Sequence, residues 1–195
     1  MKNNTVLELV KRNRSCRRFD ASHSIDPDLL RELVEHARLS GSAGNLQPLK
    51  YILSQDRAKN DEIFSCLKWA AYLKDWEGPL EAERPTGYIV ILGDLSITKN
   101  FRCDHGIAAQ SILLAAREKG LAGCMIAAIN QKRLREILAI DETREILLVI
   151  ALGKPLETAV IEDLEPGGDI RYFRNGDGIH HVPKRSLDEI IVNSW

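Results

Sequence analysis

Residues 87–93 read GYIVILG, and this run decides the class of fold. Its unbroken apolar core between two glycines is typical of a central strand that is covered on both faces. Residues 145–152, EILLVIAL, predict a second strongly apolar strand. We therefore expect a central sheet that is flanked by helices.

The segment between these two strands supplies one of those helices. Residues 104–119, DHGIAAQSILLAAREK, are apolar around most of the helical circumference, which predicts a buried helix. Gly120 ends this helix, and residues 121–129 form a further predicted strand.

Helices and strands alternate along the rest of the chain as far as Pro155. The other predicted elements are helices at 5–13, from 27 to Gly41, at 61–73 and after the Asn130 cap, a strand at 49–54 and a loop at 73–85. This alternation indicates one α/β or mixed α+β sheet. The length of 195 residues indicates a single domain over 1–195.

The region after Pro155 breaks this pattern. Residues 156–183 mix acidic residues and glycines with few apolar clusters, and they are too many for a simple connection. The chain then closes on the apolar side chains of Ile190, Ile191, Val192 and Trp195. We expect residues 156–195 to form an extended tail that packs on a surface outside its own core.

Composition excludes several classes of function. With 27 Lys plus Arg against 28 Asp plus Glu, the net charge is -1, so no global basic field attracts nucleic acid or anionic lipid. The longest apolar run, 146–152, is too short to span a bilayer. Because the N-terminus also lacks the features of a signal peptide, we expect a cytoplasmic protein without nucleic-acid or membrane partners.

The cysteines and histidines do not predict a metal site. The four cysteines form no CxxC pair, and the five histidines have no ligand spacing. Cys66 and Cys124 lie in apolar sequence, whereas the arginines around Cys16 favour a thiolate there. A cysteine-based redox protein that relies on Cys16 is a minor hypothesis.

Residues 12–19, RNRSCRRF, combine four guanidinium groups with a hydroxyl where a helix passes into an extended segment. Guanidinium groups bind phosphate and other planar anions through paired hydrogen bonds. The alternative is a solvated basic turn, because runs of charge mostly face water.

Residues 40–48, SGSAGNLQP, lie between a helix end and a strand. Small residues let the backbone approach a flat ligand closely, and amides offer donors and acceptors to the edge of a heterocycle. A helix C-cap and turn would explain the glycines, but it explains Asn45 and Gln47 less readily.

Two further stretches have simple explanations. Residues 120–128, GLAGCMIAA, fit a buried strand, and residues 182–185, VPKR, fit a solvated basic pair before the last helix. No GxGxxG follows a strand and no GxxxxGK[ST] occurs, so the Rossmann fingerprint and the P-loop are both absent.

Four stretches taken in order resemble the nitroreductase family of FMN-dependent oxidoreductases, and the resemblance covers nearly the whole chain. They are RSCRRFD at 14–20, SGSAGNLQP at 40–48, DHGIAAQSILLAAREKGLAGC at 104–124 and LGKP at 152–155. The resemblance implies an α+β fold with a mixed central sheet, and an intertwined homodimer with two active sites at the subunit interface. In such a dimer we expect the tail to pack on the partner subunit.

The resemblance also implies a set of FMN-binding positions. Arg14 and Ser15 match residues that hold the phosphate and the ribityl chain, and Arg17 matches a cation beside the pyrimidine edge of the flavin. Ser42, Ala43 and Asn45 match the segment that packs on the isoalloxazine, and part of this segment serves the flavin of the partner subunit. Ala127 and Ala128 match a backbone turn whose amide faces N5. Lys184 and Arg185 match the cations that close over the phosphate. Asn13 stands where many relatives have an arginine.

The activity implied is transfer of hydride from NADH or NADPH, followed by reduction of a nitroaromatic, a quinone or a similar planar acceptor in a ping-pong cycle. Arg17 is the expected catalytic residue, because a fixed guanidinium stabilises the negative charge of the reduced flavin. No side-chain nucleophile is required, in agreement with a sequence that offers no Ser-His-Asp constellation. A non-catalytic flavin-binding or flavin-storage protein is the alternative.

Overall fold

The computed structural model describes residues 5–195 and is built around a four-stranded sheet. The strands are β1 Leu49–Ser54, β2 Gly87–Asp94, β3 Ala122–Ile126 and β4 Arg144–Gly153. Their order is β1-β2-β4-β3, and each neighbouring pair is antiparallel. Every residue of β2 from Gly87 to Gly93 is buried, so the predicted central strand is confirmed.

The α+β class is confirmed, but the expectation of a mixed central sheet is wrong for the described residues. All pairings in that sheet are antiparallel. The apolar runs of β2 and β4 arise because both faces of the sheet are covered, which makes antiparallel strands as uniformly apolar as parallel ones. Such runs report burial and carry no information about strand direction.

Helices cover both faces of the central sheet. The helices among residues 5–195 are α1 Val6–Arg12, α2 Pro27–Arg38, α3 Arg57–Phe64, α4 Asp104–Glu118, α5 Gln131–Ile137 and α6 Leu187–Ile190. Ile89 and Ile91 pack with α2 and α4, whereas Tyr88 and Val90 pack with α3 and α5 on the opposite face, as the two-residue period of a strand requires. None of these helices has the length and apolar character needed to cross a membrane.

Helices α2 and α4 begin and end close to the predicted positions. The Asp26 carboxylate accepts the N–H of Asp28 at 2.8 Å, and Pro27 occupies the first turn, where its missing N–H costs nothing. Helix α4 ends at Glu118, two residues before Gly120, whose φ is +81°. Both helices pack on the sheet through the apolar faces that the sequence predicts.

The third helix differs from its predicted range of 61–73. It spans Arg57–Phe64, because the Asp56 carboxylate accepts the N–H of Lys59 at 2.8 Å and so caps an earlier start. After Phe64 the chain leaves the helical path, since Leu67 forms a bridge with Ile129. Contacts with the chain after β3 therefore end the helix well before residue 73.

The tail, predicted to be irregular, contains a second small sheet. Strands β5 Ala159–Asp163, β6 Phe173–Arg174 and β7 His180–Lys184 lie in the order β5-β7-β6, with β5 parallel to β7. We call these strands the tail sheet. Polar and aromatic pairs hold it, among them His181 with Glu162 and the ring of His181 stacked 4.7 Å from that of Phe173, so no apolar alternation marks it in the sequence.

The residues after the tail sheet lie open on this chain. Ile190 and Ile191 are more than half exposed, and Val192 and Trp195 are fully exposed. Packing of this chain end on a partner subunit stays a prediction.

Candidate cofactor-binding site

A cavity of about 300 Å³ lies between the N-terminal segment, α4, β3 and the tail sheet. We call it the basic cavity, because the described residues that line it include three cations, Arg14, Arg17 and Lys184, and no carboxylate. Its lining residues are Asn13, Arg14, Ser15, Arg17, Gln110, Leu113, Gly123, Met125, Tyr172, His180, Val182 and Lys184. The fold thus brings together four residues of the predicted site: Arg14, Ser15, Arg17 and Lys184.

Apolar anchors hold the arginine-rich segment beside this cavity. The backbone N–H of Cys16 donates to the Gly123 carbonyl at 2.9 Å, and the buried side chain of Phe19 lies against Gly153. A β-carbon at Gly153 would come within 2.8 Å of the Phe19 ring, so only glycine allows this approach. Arg14 and Arg17 are therefore positioned by the buried residues between and after them.

Arg14 lines the cavity and keeps one hydrogen-bond donor that no described residue uses. One of its terminal nitrogens, Nη2, donates to the Val10 carbonyl at 2.7 Å, while its buried Nε–H has no partner within residues 5–195. Burial lowers the pKa of the Arg14 guanidinium, which still stays charged at neutral pH. A buried donor without an acceptor is costly, and a phosphate oxygen would supply that acceptor. With the Ser15 hydroxyl and Lys184 nearby, this donor set fits a phosphate group.

Arg17 is held as a buried cation, only 8% exposed. Its Nη1 lies 3.3 Å from Nε2 of His180 and 3.5 Å from the Ser15 carbonyl. The guanidinium also stands 4.8 Å from the centroid of the Tyr172 ring, within the range of a cation–π contact. Two residues of the tail thus fix the position of Arg17.

Glu157 connects the tail to the N-terminal segment through hydrogen bonds. Its side chain is 1% exposed and accepts hydrogen bonds from the backbone N–H of Arg17 and, at 2.8 Å, from Nη2 of Arg174. Glu157, Tyr172 and His180 were not predicted from the sequence. They lie more than a hundred residues from Arg17, and no motif in 156–183 marks them.

The expectation of a thiolate at Cys16 is wrong. Cys16 is 3% exposed, and burial, with a smaller contribution from the charge of Glu157, raises the pKa of its thiol to about 12. The neighbouring arginines are engaged elsewhere: Arg18 pairs with Glu83, and Arg17 faces the cavity. The thiolate was predicted from the flanking arginines alone. In the folded chain this segment buries Cys16, and the side chains of Arg17 and Arg18 make their contacts elsewhere.

A buried carboxylate organises the segment around Ser42, Ala43 and Asn45. Asp104, 3% exposed, accepts the Ser42 hydroxyl at 2.6 Å and the N–H of Ala43 at 3.0 Å. The Ser42 oxygen accepts the N–H of Gln47 at 2.9 Å in turn. Three residues of this turn, Gly44, Asn45 and Gln47, have left-handed φ values of +59°, +54° and +51°. Glycine adopts this conformation freely, but Asn45 and Gln47 are strained, and such strain persists where surrounding contacts determine the backbone.

The Ser42 segment does not meet the basic cavity within one chain. Ser42 and Asp104 line a second cavity, of about 490 Å³, between α2, α4 and β1, and the two cavities share no lining residue. Along α4, Asp104 precedes the basic-cavity residue Gln110 by about 9 Å at 1.5 Å per residue. The predicted flavin-stacking segment and the predicted phosphate-binding residues are therefore separate on this chain.

Three other predicted residues lie outside the wall of the basic cavity. Ala127 and Ala128 follow β3 and are exposed, and the Ala128 carbonyl accepts the N–H of Lys68 at 3.0 Å. Arg185 pairs with Glu189 in the next turn. Of the two C-terminal cations, Lys184 alone lines the cavity.

Comparison with known proteins agrees with this architecture. A family model described as the nitroreductase family matches residues 10–154. A Bacillus subtilis protein with the provisional name NAD(P)H nitroreductase MhqN is 25% identical over 187 residues, covering 75% of this chain and 86% of its own.

Solved structures share the fold. A nitroreductase family protein from Streptococcus pneumoniae superposes with a TM-score of 0.70 at 20% identity, over 97% of this chain and 100% of that chain. The NADPH:FMN oxidoreductase of Vibrio harveyi, solved with NAD⁺, gives a TM-score of 0.60 at 22% identity, over 77% of this chain and 68% of that chain.

Proposed function

The chain belongs to the nitroreductase family, and from this premise we propose that it is an FMN-dependent oxidoreductase that takes hydride from NADH or NADPH and reduces a nitroaromatic, a quinone or a similar planar acceptor. Membership supports the general activity of a flavin-dependent oxidoreductase. The observation that carries the FMN assignment is the basic cavity, whose lining combines Arg14, Arg17 and Lys184, and in which the buried Nε–H of Arg14 has no partner among residues 5–195. The names of the Bacillus and Vibrio relatives support the choice of flavin and nicotinamide.

The residues of the cavity fit the phosphate end of FMN. Arg14 would donate its free Nε–H to a phosphate oxygen, which removes the cost of an unsatisfied buried donor. Ser15 would donate its hydroxyl to the same end of the cofactor, and Lys184 would add a second positive charge from the opposite wall. Asn13, which stands where many relatives have an arginine, adds an uncharged amide to the cavity, so its positive charge comes from Arg14, Arg17 and Lys184.

Bound FMN would supply the two-electron chemistry, so the chain needs no nucleophile of its own. Arg17 holds a positive charge in a nearly dry environment, where it stabilises a nearby negative charge far more strongly than it would in water. Because His180, Tyr172 and the Ser15 carbonyl already fix this guanidinium, little reorganisation is needed when charge develops beside it. Arg17 is therefore the proposed catalytic residue.

The two substrates would use the same site in turn, as in a ping-pong cycle. No general base is required among the cavity residues, and the raised pKa of Cys16 argues against thiol chemistry there. Selectivity for the acceptor would rest on stacking, since Tyr172 and Met125 give the wall its flat and apolar parts.

A homodimer would complete the site. The Ser42 segment is fixed by Asp104 at a distance from its own basic cavity, which is the arrangement expected if Ser42, Ala43 and Asn45 serve the flavin of the partner subunit. The exposed apolar residues that follow the tail sheet supply a surface for that partner.

The test is the absorbance spectrum of the purified chain, reconstituted with FMN, before and after anaerobic addition of NADH or NADPH. We expect about one FMN per chain and bleaching of the yellow colour. A yellow protein that does not bleach would identify a flavin-storage protein. A chain that takes up no FMN would overturn the proposal.

A further inference from the structure

His180 is the most deeply buried histidine of the described residues, at 1% exposure, and it lines the basic cavity at the first position of β7. No role was predicted for it from the sequence, and the proposed function uses it only as one of the contacts that fix Arg17. Its ring contacts two residues that matter to the site, namely Arg17 through Nε2 and Tyr172 at a ring separation of 5.2 Å.

The contact with Arg17 determines which nitrogen of His180 carries the hydrogen. An arginine guanidinium has donors and no acceptor, so at 3.3 Å Nε2 of His180 must accept from Nη1 of Arg17. A neutral imidazole that accepts at Nε2 carries its hydrogen at Nδ1. That Nδ1–H is buried and has no partner in the described residues.

The charged groups around the ring disfavour its protonation. Burial lowers the pKa of His180 most, and the positive charge of Arg17 lowers it further. Arg174 on β6 and His181 on β7 act in the same direction, and Glu157, which precedes β5, is the one group that opposes them. Near neutral pH the ring is therefore neutral and able to accept the N–H of Arg17.

We propose that His180 is a positioning residue for Arg17: its neutral ring accepts one guanidinium N–H and holds this cation in the basic cavity, and protonation of the ring releases the cation. The role of Arg17 beside a flavin rests on the proposed function, whereas the bond between His180 and Arg17 does not. A doubly protonated ring has no acceptor left and repels the guanidinium, so the contact has two distinct states.

The direction of the pH dependence follows from the lowered pKa. The ordinary histidine value is 6.5, and the folded chain keeps His180 neutral to a lower pH. The stabilisation from this contact is fully present above pH 6.5 and is lost as the pH falls through the lower, folded value. Acid therefore weakens both the packing of the tail sheet and the position of Arg17.

The first measurement is a long-range ¹H–¹⁵N NMR spectrum of the full chain with ¹⁵N-labelled histidine rings, without added FMN. His180→Gln assigns the signals of His180 among the five histidines. We expect the Nδ1–H tautomer and a titration midpoint below 6.5. An Nε2–H tautomer, or a midpoint at or above 6.5, would overturn the proposal.

The second measurement compares the rate at which NADH bleaches the FMN-loaded variants. His180→Gln keeps an oxygen acceptor without a titrating ring, and His180→Leu removes the acceptor. We expect His180→Leu to slow bleaching about tenfold at pH 8, and His180→Gln to stay within about twofold of the parent. As the pH falls from 8 through the lowered pKa of His180, the rate of the parent should fall relative to that of His180→Gln. The matched control, His181→Gln, changes the neighbouring residue, which pairs with Glu162, and should bleach at the parent rate.

These outcomes separate the two proposals. A chain that takes up no FMN contradicts the proposed function, yet the NMR spectrum still decides the bond between His180 and Arg17. Parent-like bleaching of a folded His180→Leu variant contradicts the positioning role, even when FMN binds. If His180→Leu does not fold, the tautomer and the pH profile of His180→Gln still decide the question.

Discussion

The central sheet buries apolar side chains completely, among them Ile89, Val90 and Ile150 at 0% exposure, whereas the tail sheet leaves Ile161 and Phe173 41% and 45% exposed. Polar and aromatic contacts hold the tail sheet instead, and the buried carboxylate of Glu157 joins Arg174 of this sheet to the N-terminal segment. One sheet is thus stabilised by area removed from water, and the other by a few charged hydrogen bonds.

The two sheets therefore differ in how their stability depends on pH. In the central sheet the stabilisation is spread over many close-packed apolar side chains, so a cavity there is costly. Because these side chains do not titrate, their contribution to stability depends little on pH. Charged hydrogen bonds are few and specific, and they depend on the protonation of groups such as His180. The basic cavity lies where the two regions meet, since α4 and β3 line one part of it and the tail sheet lines another.

The largest effect is expected from a cavity in the central sheet. Ile150→Ala removes a fully buried side chain of β4 and should lower the free energy of unfolding by about 4 kcal/mol, because the surrounding helices cannot collapse into the gap. Urea denaturation followed by circular dichroism measures it. The matched control in the tail sheet, Ile161→Ala, should cost about 1 kcal/mol or less, since Ile161 is already 41% exposed. Equal costs would contradict the comparison.

The second effect is local to the tail sheet. Glu157→Gln keeps the shape of the side chain but removes the charge that faces Arg174 and Arg17, and it should destabilise the tail sheet by about 3 kcal/mol. Hydrogen exchange should become faster at the amides of β7 while those of β2 stay protected.

Glu162→Gln is the control for this experiment. Glu162 pairs with His181, but its side chain is 40% exposed, so its loss should change exchange in β7 little. Faster exchange in β2 and β7 together would show that the two sheets open as one unit, against the comparison.

The same contrast explains what could be predicted from the sequence. The positions of β2 and α4 were predictable, because full burial forces an apolar composition that local sequence displays. The direction of the strands was not, since burial on both faces gives the same composition in either orientation. The start of α3 was missed because Asp56 and Asp61 are both acceptable caps by residue type, and only the fold selects Asp56.

The candidate site divides in the same way. Arg14, Ser15, Arg17 and Lys184 were predicted through the resemblance to the nitroreductase family, and all four line one cavity. Glu157, Tyr172 and His180 were missed, since their roles depend on contacts with residues more than a hundred positions away. The burial that raises the pKa of Cys16 is likewise a tertiary effect that its flanking arginines conceal.

The third effect concerns Arg17, where the two regions meet. Arg17→Ala should leave FMN bound but slow its bleaching by NADH about a hundredfold, because the truncation removes a charge felt mainly by the reduced cofactor. Stopped-flow absorbance measures the rate, and FMN fluorescence measures the affinity. An unchanged rate with a collapsed affinity would make Arg17 a phosphate ligand and contradict the assignment.

The smallest effect distinguishes two adjacent cations at the end of the tail sheet. Lys184 lines the basic cavity, whereas Arg185 pairs with Glu189 outside its wall. Lys184→Ala should therefore weaken FMN binding about tenfold, the loss of one charge-assisted hydrogen bond, while Arg185→Ala should change it less than about twofold. Titration of the FMN-free chain with FMN at fixed salt compares the two variants directly. A larger loss from Arg185→Ala would mean that the chain end rearranges when the cofactor binds, so that the part of the tail that contacts FMN extends beyond β7 into α6.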